Sequence, residues 1–264
     1  MKPTEQAIQD RVAANYEALR YGLDYAKRYH DWWMRQMIGL ASAESRRGAV
    51  LDNGCGVGAL AAHLGDARHL VGLDLSLTML RTAGDAPFAR AQGDSTALPF
   101  ASETFDLVVA RSLLHHLPVL EDGVREMHRV LRPGGQVILA DTNHSLLSAL
   151  PRRIAYRGAS FSDDHKNPKR ADYLGCLRRT FQLEAVRYFG YLAYPFGFPD
   201  MMGRWRPASL PRGLLDALIR LDALLGRVPA VRAQSWGIMV AARKAGGRSQ
   251  DSAHGSDTRH ERDR

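Results

Sequence analysis

The sequence predicts a doubly wound α/β fold, in which a mostly parallel sheet of seven strands is covered by helices on both faces. Short apolar runs alternate with helical segments from residue 49 onward. These runs are apolar at successive positions rather than at alternate ones, as expected for strands buried on both sides. The alternation of strands and helices favours parallel pairing. A chain of 264 residues is expected to form one main core with elaborated surface segments.

Each predicted element is bounded by a change of pattern or by turn residues. Pro133, Gly134 and Gly135 end the third helix and turn the chain into the fifth strand. The strands are expected at residues 49–52, 70–75, 88–91, 105–110, 136–141, 183–188 and 236–242, and the helices between them at about 57–64, 77–82, 119–130 and 169–179.

The order of these elements divides the chain into three regions. Residues 1–45 are predicted to form a lid of two helices. Residues 46–244 are expected to form the main domain, with substrate-facing helical insertions at about 143–167 and, before the last strand, 191–235. Residues 245–264 combine glycine, serine and mixed charge, so they are predicted to form a disordered tail.

The composition excludes several classes of protein. Hydrophobic residues make up 45% of the chain and charged residues 24%, close to the averages for globular proteins. The sequence has no apolar N-terminal segment and no uncharged apolar run of about 18 residues, so neither a signal peptide nor a spanning helix is predicted and a cytoplasmic location is expected. The only two cysteines are Cys55 and Cys176, and a disulfide or a cysteine-based zinc site is disfavoured.

The formal net charge of +8 is concentrated in the C-terminal half of the chain. Residues 1–150 carry 15 Lys/Arg against 17 Asp/Glu, whereas residues 151–212 carry 12 against 5 and residues 213–244 carry 5 against 2. This distribution suits an anionic substrate, a lipid headgroup or a nucleic acid. A solvated basic face without a partner explains it equally well.

A glycine loop follows the first predicted strand. Asp52 ends that strand, and Gly54, Gly56 and Gly58 allow a tight turn that brings backbone N–H groups against a ligand. NAD enzymes use a related loop, so the loop alone does not decide the ligand. Asp74 ends the second strand 22 residues after Asp52, at the place from which a carboxylate accepts hydrogen bonds from ribose hydroxyls.

In combination, the motifs of this region resemble class I methyltransferases dependent on S-adenosylmethionine (SAM), especially the type 11 small-molecule branch, which is similar to the quinone C-methyltransferases. The resemblance covers about residues 48–142 and implies a Rossmann-like fold with SAM as the cofactor. Asn53 departs from the pattern, because the family more often has an apolar or small residue there. The motifs lie at residues 50–58, 72–76, 93–95, 98–100, 105–108, 115–117 and 131–135.

The resemblance also implies roles for individual residues. In the family, the residue that matches Asp74 holds the ribose of SAM, the one that matches Asp94 faces the adenine, and the glycine loop runs alongside the methionine part of SAM. Residues 110–114 lack the Asn/Asp-Pro-Pro-Tyr/Phe motif with which related enzymes methylate nucleic-acid bases, so that chemistry is disfavoured. The predicted cofactor-binding residues are Asp52, Gly54, Cys55, Gly56, Gly58, Asp74, Leu75, Met79, Gly93, Asp94, Ser95 and Arg111.

Histidines near the fourth strand are the candidates for catalysis. Methyl transfer needs alignment of the reactants, and it needs a base only when the nucleophile carries a proton of high pKa. His115 and His116 follow the fourth strand, and either could accept such a proton or have a structural role. His144 is expected to be structural. A metal site at residues 163–165 is rejected, because three ligands in a polar stretch are a poor basis for one.

Aromatic residues mark two further regions. Tyr16, Tyr21, Tyr25 and Tyr29 of the lid either cover the cofactor or pack against the sheet. Residues 191–225 hold an aromatic and thioether cluster and a leucine-rich helix, which suit a flat or hydrophobic acceptor or else close a small core. The leucines at 214–225 are expected on one side of this helix, with an Asp216–Arg220 pair supporting it.

The expected function is therefore methyl transfer to oxygen, nitrogen or carbon of a small hydrophobic, aromatic or lipid-like metabolite. Contact with a membrane surface is a further expectation, whereas nucleic acid is disfavoured as a partner. Two alternatives stay open: an RNA methyltransferase that uses the basic half of the chain, and a SAM-binding module without catalysis. The sequence does not predict the oligomeric state.

Overall fold

The computed structural model describes residues 4–146, 148 and 170–246. Seven strands form one sheet in the order β3-β2-β1-β4-β5-β7-β6. Strand β7 is antiparallel to both of its neighbours, and all other pairs are parallel. The predicted fold class is therefore confirmed. The strands are β1 Ala49–Asn53, β2 His69–Asp74, β3 Ala89–Gln92, β4 Phe105–Arg111, β5 Leu131–Thr142, β6 Gln182–Phe189 and β7 Gly237–Arg243.

Two apolar cores cover the two faces of the sheet. Alternate residues of β4 enter opposite cores: Val108 packs on one face, and Leu107 and Val109 pack on the other. Among the residues described, no helix is both long and apolar enough to cross a membrane. The helices are α1 Glu5–Tyr21, α2 Asp24–Ile38, α3 Ala43–Arg47, α4 Leu77–Thr82, α5 Leu120–Val130, α6 Arg170–Thr180, α7 Tyr194–Gly197, α8 Arg212–Leu225 and α9 Pro229–Arg232.

Two elements of the main domain differ from the prediction. The helix expected at residues 57–64 is reduced to a single 3-10 turn, Ala61–His63. Gly56 and Gly58 have φ angles of +55° and +76°, so too few residues remain in this segment for a stable α-helix. Strand β5 begins at Leu131, earlier than expected, because the Pro-Gly-Gly turn forms an irregularity within the strand where its register against β4 shifts.

Helix α8 corrects a third expectation. Its leucines do not share one side: Leu215 is buried, whereas Leu214 and Leu221 are 48% and 43% exposed. Asp216 pairs with Arg28 of α2, at 2.8 Å, and not with the arginine four residues further on. Most of the insertion expected at 143–167, and the tail from residue 247, lie outside the described residues.

Candidate functional site

The site lies where the order of the strands reverses. Strands β1 and β4 are neighbours in the sheet although β2 and β3 come between them in the chain, so the crossovers on their two sides run in opposite directions. In open α/β sheets, ligands bind in the crevice at the carboxyl ends of the strands at such a point. Asp52 and Arg111 lie at these ends of β1 and β4.

The glycine loop adopts a conformation that side chains rarely allow. Gly54, Gly56 and Gly58 all have positive φ angles. A Cβ atom added at Gly56 would meet no atom within 4 Å, so the backbone here borders open space. At Gly58 the same atom would lie 2.7 Å from the ring of Phe88. The loop is therefore closed by packing at one glycine and open toward a ligand at another.

Asp74 connects the end of β2 to this loop. Its Oδ2 atom accepts a hydrogen bond from the Gly56 N–H at 2.8 Å, and its Oδ1 atom accepts one from the Ser76 N–H at 2.9 Å. Burial raises the pKa of Asp74, and these backbone hydrogen bonds partly offset the increase. Each carboxylate oxygen can accept a further hydrogen bond, as ribose hydroxyls would require.

Asp52 and Arg111 place opposite charges beside the loop. Asp52 is 3% exposed, and its Oδ1 atom is buried without a hydrogen-bond partner among the described residues. Burial raises the pKa of Asp52 to about 7, although the charge of Arg111 opposes the increase. The Arg111 guanidinium is itself buried, and its Nη1 atom donates to the Tyr21 hydroxyl at 3.2 Å.

These groups fit the amino-acid part of SAM. The orphaned oxygen of Asp52 can accept from an ammonium group, the buried guanidinium of Arg111 can bind a carboxylate, and the open space at Gly56 leaves room for the chain between them. Although burial favours its neutral form, nearby Tyr21 and Asp52 raise the pKa of Arg111, so it stays charged.

Helix α1 lies over the glycine loop. Ala13 packs with Val57 of the loop and with Met79 of α4, and Tyr16 and Tyr21 pack against this group. The other two lid tyrosines lie elsewhere, because Tyr25 and Tyr29 are both buried in the core under α2. The structure thus brings only two of the four tyrosines near the loop.

The remaining predicted cofactor residues differ in exposure. The Cys55 thiol is buried, and burial raises its pKa, so it stays protonated. Leu75 is 36% exposed, and Asp94 is exposed with its Oδ1 atom on the Thr96 N–H. Gly93 donates its N–H to the Asp74 carbonyl.

Asn53, the position that departs from the family pattern, has a structural partner. It is fully buried at the end of β1, and its Oδ1 atom accepts a hydrogen bond of 2.8 Å from the Ser95 hydroxyl. The bond connects the end of β1 to the segment after β3, so a polar residue is accommodated at this position.

A histidine and an aspartate form a buried pair next to the loop. The Nδ1 atom of His115 lies 2.5 Å from Oδ1 of Asp141, at the end of β5. Asp141 also accepts from the Leu114 and Thr142 N–H groups and from the Tyr173 hydroxyl. Burial opposes ionisation of Asp141, but His115, the Thr142 N–H group and His116 lower its pKa below the ordinary value.

The two predicted histidines are adjacent but differ in their surroundings. Their rings lie 4.1 Å apart, centroid to centroid, and only His115 is bonded to Asp141. His116 is less buried, and its charge would act on both Asp74 and Asp141. Between β4 and these histidines, Ser112 has a φ angle of +51°, a strained conformation of the kind that clusters at functional sites.

An aromatic cleft adjoins the histidine pair. It is narrow in this structure, with an enclosed volume of about 10 Å³. The Tyr194 ring is stacked on Phe198, with centroids 4.4 Å apart, and Trp33 is stacked on Phe189 at 5.4 Å. Trp33 also lies under the Arg111 guanidinium, 5.8 Å from the ring centroid, and so connects the cleft to the cofactor residues. The lining residues are Trp33, Ser112, Ala140, Asp141, Thr142, Phe189, Tyr194 and Phe198.

His30 holds one wall of this cleft. Its Nδ1 atom accepts from the Trp33 indole N–H at 3.1 Å, so Nε2 carries the proton and donates to the Gly197 carbonyl at 2.7 Å. Burial and the charges of Arg111 and Arg20 lower the pKa of His30 to about 3, so it stays neutral. His30, Trp33 and Asp141 are site residues that were not predicted from the sequence.

Comparison with known proteins identifies the family. Residues 51–139 match the family described as a methyltransferase domain. The demethylmenaquinone methyltransferase of Lactiplantibacillus plantarum is 31% identical over 52% of this chain and 62% of its own length. The 2-phytyl-1,4-naphtoquinone methyltransferase of Thermosynechococcus vestitus is 32% identical over 55% of this chain and 67% of its own. The chain belongs to the class I SAM-dependent methyltransferases, and the relatives it resembles here carry the names of quinone methyltransferases.

Solved structures share the fold. The cyclase SpnF superposes with a TM-score of 0.65 at 18% identity, covering 94% of this chain and 98% of that one. A SAM-dependent methyltransferase from Mesorhizobium loti superposes with a TM-score of 0.53 at 19% identity, covering 79% and 96%. At these identities the likeness concerns the fold alone. The matched part of this chain covers less than two thirds of the L. plantarum relative.

Proposed function

We propose that this protein transfers the methyl group of SAM to a flat, hydrophobic acceptor of the quinone type, bound in the aromatic cleft. The observation that carries the proposal is the position of that cleft, between Arg111 on the cofactor side and the His115–Asp141 pair. The names of the relatives supply the acceptor class, because they include methyltransferases of demethylmenaquinone and of a phytyl naphthoquinone.

The cofactor half of the site binds and aligns the donor. SAM supplies an activated methyl group on a sulfonium, so the protein contributes chiefly proximity and orientation. In this proposal Asp74 holds the ribose, Asp52 accepts from the ammonium group, and Arg111 binds the carboxylate. Helix α1, which packs on the loop through Ala13, excludes water from this side.

The acceptor half holds a ring against the donor. Trp33 stacks on Phe189, and Tyr194 stacks on Trp236, so a planar acceptor would have to enter beside or between these rings. There it would gain both apolar burial and ring stacking. A single isoprenoid or phytyl tail could leave through the open side of the cleft. The reduced, phenolic form of a quinone is the nucleophilic one, and it carries a proton that must be removed.

In this proposal His115 takes that proton. Because Asp141 accepts from Nδ1, the neutral ring carries its lone pair on Nε2. In this proposal the phenol proton moves to Nε2 while the ring carbon or the oxygen accepts the methyl group that SAM would supply, with the demethylated thioether as the leaving group. After methylation on carbon, the proton of that ring carbon moves to the phenolate oxygen, which restores the phenol. Asp141 acts through His115 and is therefore a positioning residue.

The test uses labelled SAM with a demethylated naphthoquinol as acceptor, followed by mass analysis of the product. His115→Gln should lower kcat by about a hundredfold or more with little change in SAM affinity. His69→Gln, an exposed histidine at the start of β2, is the matched control and should retain full activity. Equal kcat values for both variants would remove His115 from the mechanism.

A second measurement tests the cofactor half separately. Asp74→Ala should weaken SAM binding by roughly ten- to a hundredfold in calorimetry, because charge-assisted hydrogen bonds to the ribose are lost. Unchanged affinity would contradict the cofactor site itself. Retained SAM binding with no methyl transfer to any acceptor would instead support the binding module without catalysis. The RNA alternative and the cytoplasmic location stay predictions.

A further inference from the structure

Helix α8 presents an apolar stripe to the solvent. Leu214, Leu221 and Leu224 are 48%, 43% and 56% exposed, and Ala217 between them is exposed too. Spacings of three and four residues place these side chains along one side of the helix. Val228, in the turn after the helix, is 45% exposed. We call these five residues the α8 stripe.

The segment that leads into the helix adds an exposed aromatic residue. Trp205 has 79% of its surface exposed, more than any other large hydrophobic residue of the described chain except Leu146. Tryptophan combines a large apolar body with a polar N–H group, a combination favoured where hydrocarbon meets water.

The exposed charge around the stripe is positive. Between Trp205 and Arg232 the only acidic residues are Asp216 and Asp222. Asp216 is paired with Arg28, and Asp222 is buried, where it accepts the N–H groups of residues 191–193. Neither acid neutralises the exposed arginines of the segment, which are Arg206, Arg212, Arg220, Arg227 and Arg232.

We propose that the α8 stripe and these arginines dock the protein on an anionic lipid bilayer. The helix then lies in the plane of the headgroups, with its leucines toward the acyl chains and the arginines on the phosphates. A second copy of the chain is a poorer partner for this surface. Pairing two such faces would bring arginines together, and Asp216, the exposed acid of the segment, is already paired with Arg28.

The docked helix would lie next to the acceptor cleft. Its other side packs through Leu215, Leu218 and Ile219 into the core that contains Tyr194, and Tyr194 lines the cleft. A hydrophobic acceptor could then pass from the bilayer to the cleft. This last step rests on the proposed function, whereas the docking itself does not.

Vesicle sedimentation of the whole chain tests the docking. We expect binding to phosphatidylcholine vesicles that contain roughly 30% phosphatidylglycerol, and much less to phosphatidylcholine alone. The double variant Leu221→Gln, Leu224→Gln should weaken binding at least tenfold. Ala223→Gln, exposed on the same helix but away from the stripe, is the matched control and should bind as the wild type. Thermal unfolding verifies that both variants fold.

A second pair of substitutions tests whether vesicle binding requires the arginines. Arg220→Gln with Arg227→Gln should weaken binding by about tenfold at low salt, and salt should weaken the wild type in the same way. Equal binding by the wild type and the leucine double variant would overturn the proposal. So would binding to RNA without binding to vesicles, or a dimer in ultracentrifugation that the leucine variant abolishes without any vesicle binding. The assay needs neither SAM nor turnover, so its failure is distinct from a failure of methyl transfer.

Discussion

Replacing Asp52 by asparagine should stabilise the protein in the absence of SAM and weaken its affinity for SAM. The carboxylate is buried, and one of its oxygens has no hydrogen-bond partner among the described residues. The pKa in the folded state is about 7 instead of 3.8, and this value already includes the attraction of Arg111. Asparagine keeps the size of the side chain and removes its charge.

The raised pKa of Asp52 decides how its ionisation changes the free energy of unfolding. The folded state holds the proton more tightly than the unfolded state, so stability is lost as the pH rises from about 4 to about 7 and changes little above. With about 1.4 kcal/mol for each pH unit between the two pKa values, the ionised Asp52 costs about 4 kcal/mol at pH 8. We expect Asp52→Asn to recover part of this free energy at pH 8 and almost none at pH 4.

Denaturant unfolding at the two pH values, without SAM, measures this difference. Asp106→Asn is a control of opposite sign, because this carboxylate accepts from Arg132 at 2.6 Å and from the Ala49 N–H at 2.7 Å. Although burial opposes it, these donors lower the pKa of Asp106. Its stabilising contribution is present above the unfolded pKa and is lost as the pH falls, so Asp106→Asn should destabilise the protein at pH 8.

The same variant tests the contact with the ammonium group of SAM. Calorimetry at pH 8 should show Asp52→Asn binding SAM roughly ten- to a hundredfold more weakly, since a charge-assisted hydrogen bond is lost. Wild-type affinity should fall toward that of the variant as the pH drops below about 7, where Asp52 takes up a proton. If the two proteins have parallel stability and affinity profiles over this pH range, the reasoning about Asp52 is refuted.

Four further substitutions probe the loop, the cleft and helix α8. Gly56→Ala and Gly84→Ala, at φ angles of +55° and +57°, should each lose about 1 kcal/mol of unfolding free energy, but only Gly56→Ala should weaken SAM binding in calorimetry. Tyr194→Ala should raise the KM for the acceptor about tenfold and leave the KM for SAM unchanged in steady-state kinetics. Asp222→Ala should lower the free energy of unfolding by about 3 kcal/mol in denaturant unfolding, because the N–H groups of residues 191–193 lose their acceptor.

The cofactor half of the site could be predicted because its signals are local. Most ends of the predicted strands lie within one or two residues of the observed ends. For example, β2 is predicted at 70–75 and spans His69–Asp74. A strand buried on both sides needs a continuous apolar run, and a loop under a cofactor needs glycine, so both are visible in a few consecutive residues. Where helix formation depended on the glycine conformations, at residues 57–64, the prediction was wrong.

Asp141 could have been found with the same rule that gathered Asp52 and Asp74. It ends β5, the neighbour of β4, and His115 follows β4, so their side chains were bound to meet at one edge of the sheet. Strand ends predicted the cofactor contacts and the two histidines, but the end of the fifth strand was left out. The missing step was the strand order, which places β5 next to β4.

The acceptor half could be predicted only in part: Tyr194 and Phe198 belong to the aromatic cluster expected within residues 191–225, but the other walls come from distant parts of the chain. Trp33 belongs to α2, Phe189 ends β6 and Tyr194 begins α7, and only packing brings them together. Their patterns in the sequence are those of ordinary core residues, and the neighbouring Tyr29 is one. Because the acceptor half depends on packing between distant segments, the fold does not define the reaction. A protein named a cyclase superposes on this chain as well as methyltransferases do. The acceptor must therefore be argued from the shape and charge of the cleft, where a neutral His30, an ionised Asp141 and stacked rings favour a planar, apolar molecule with one removable proton.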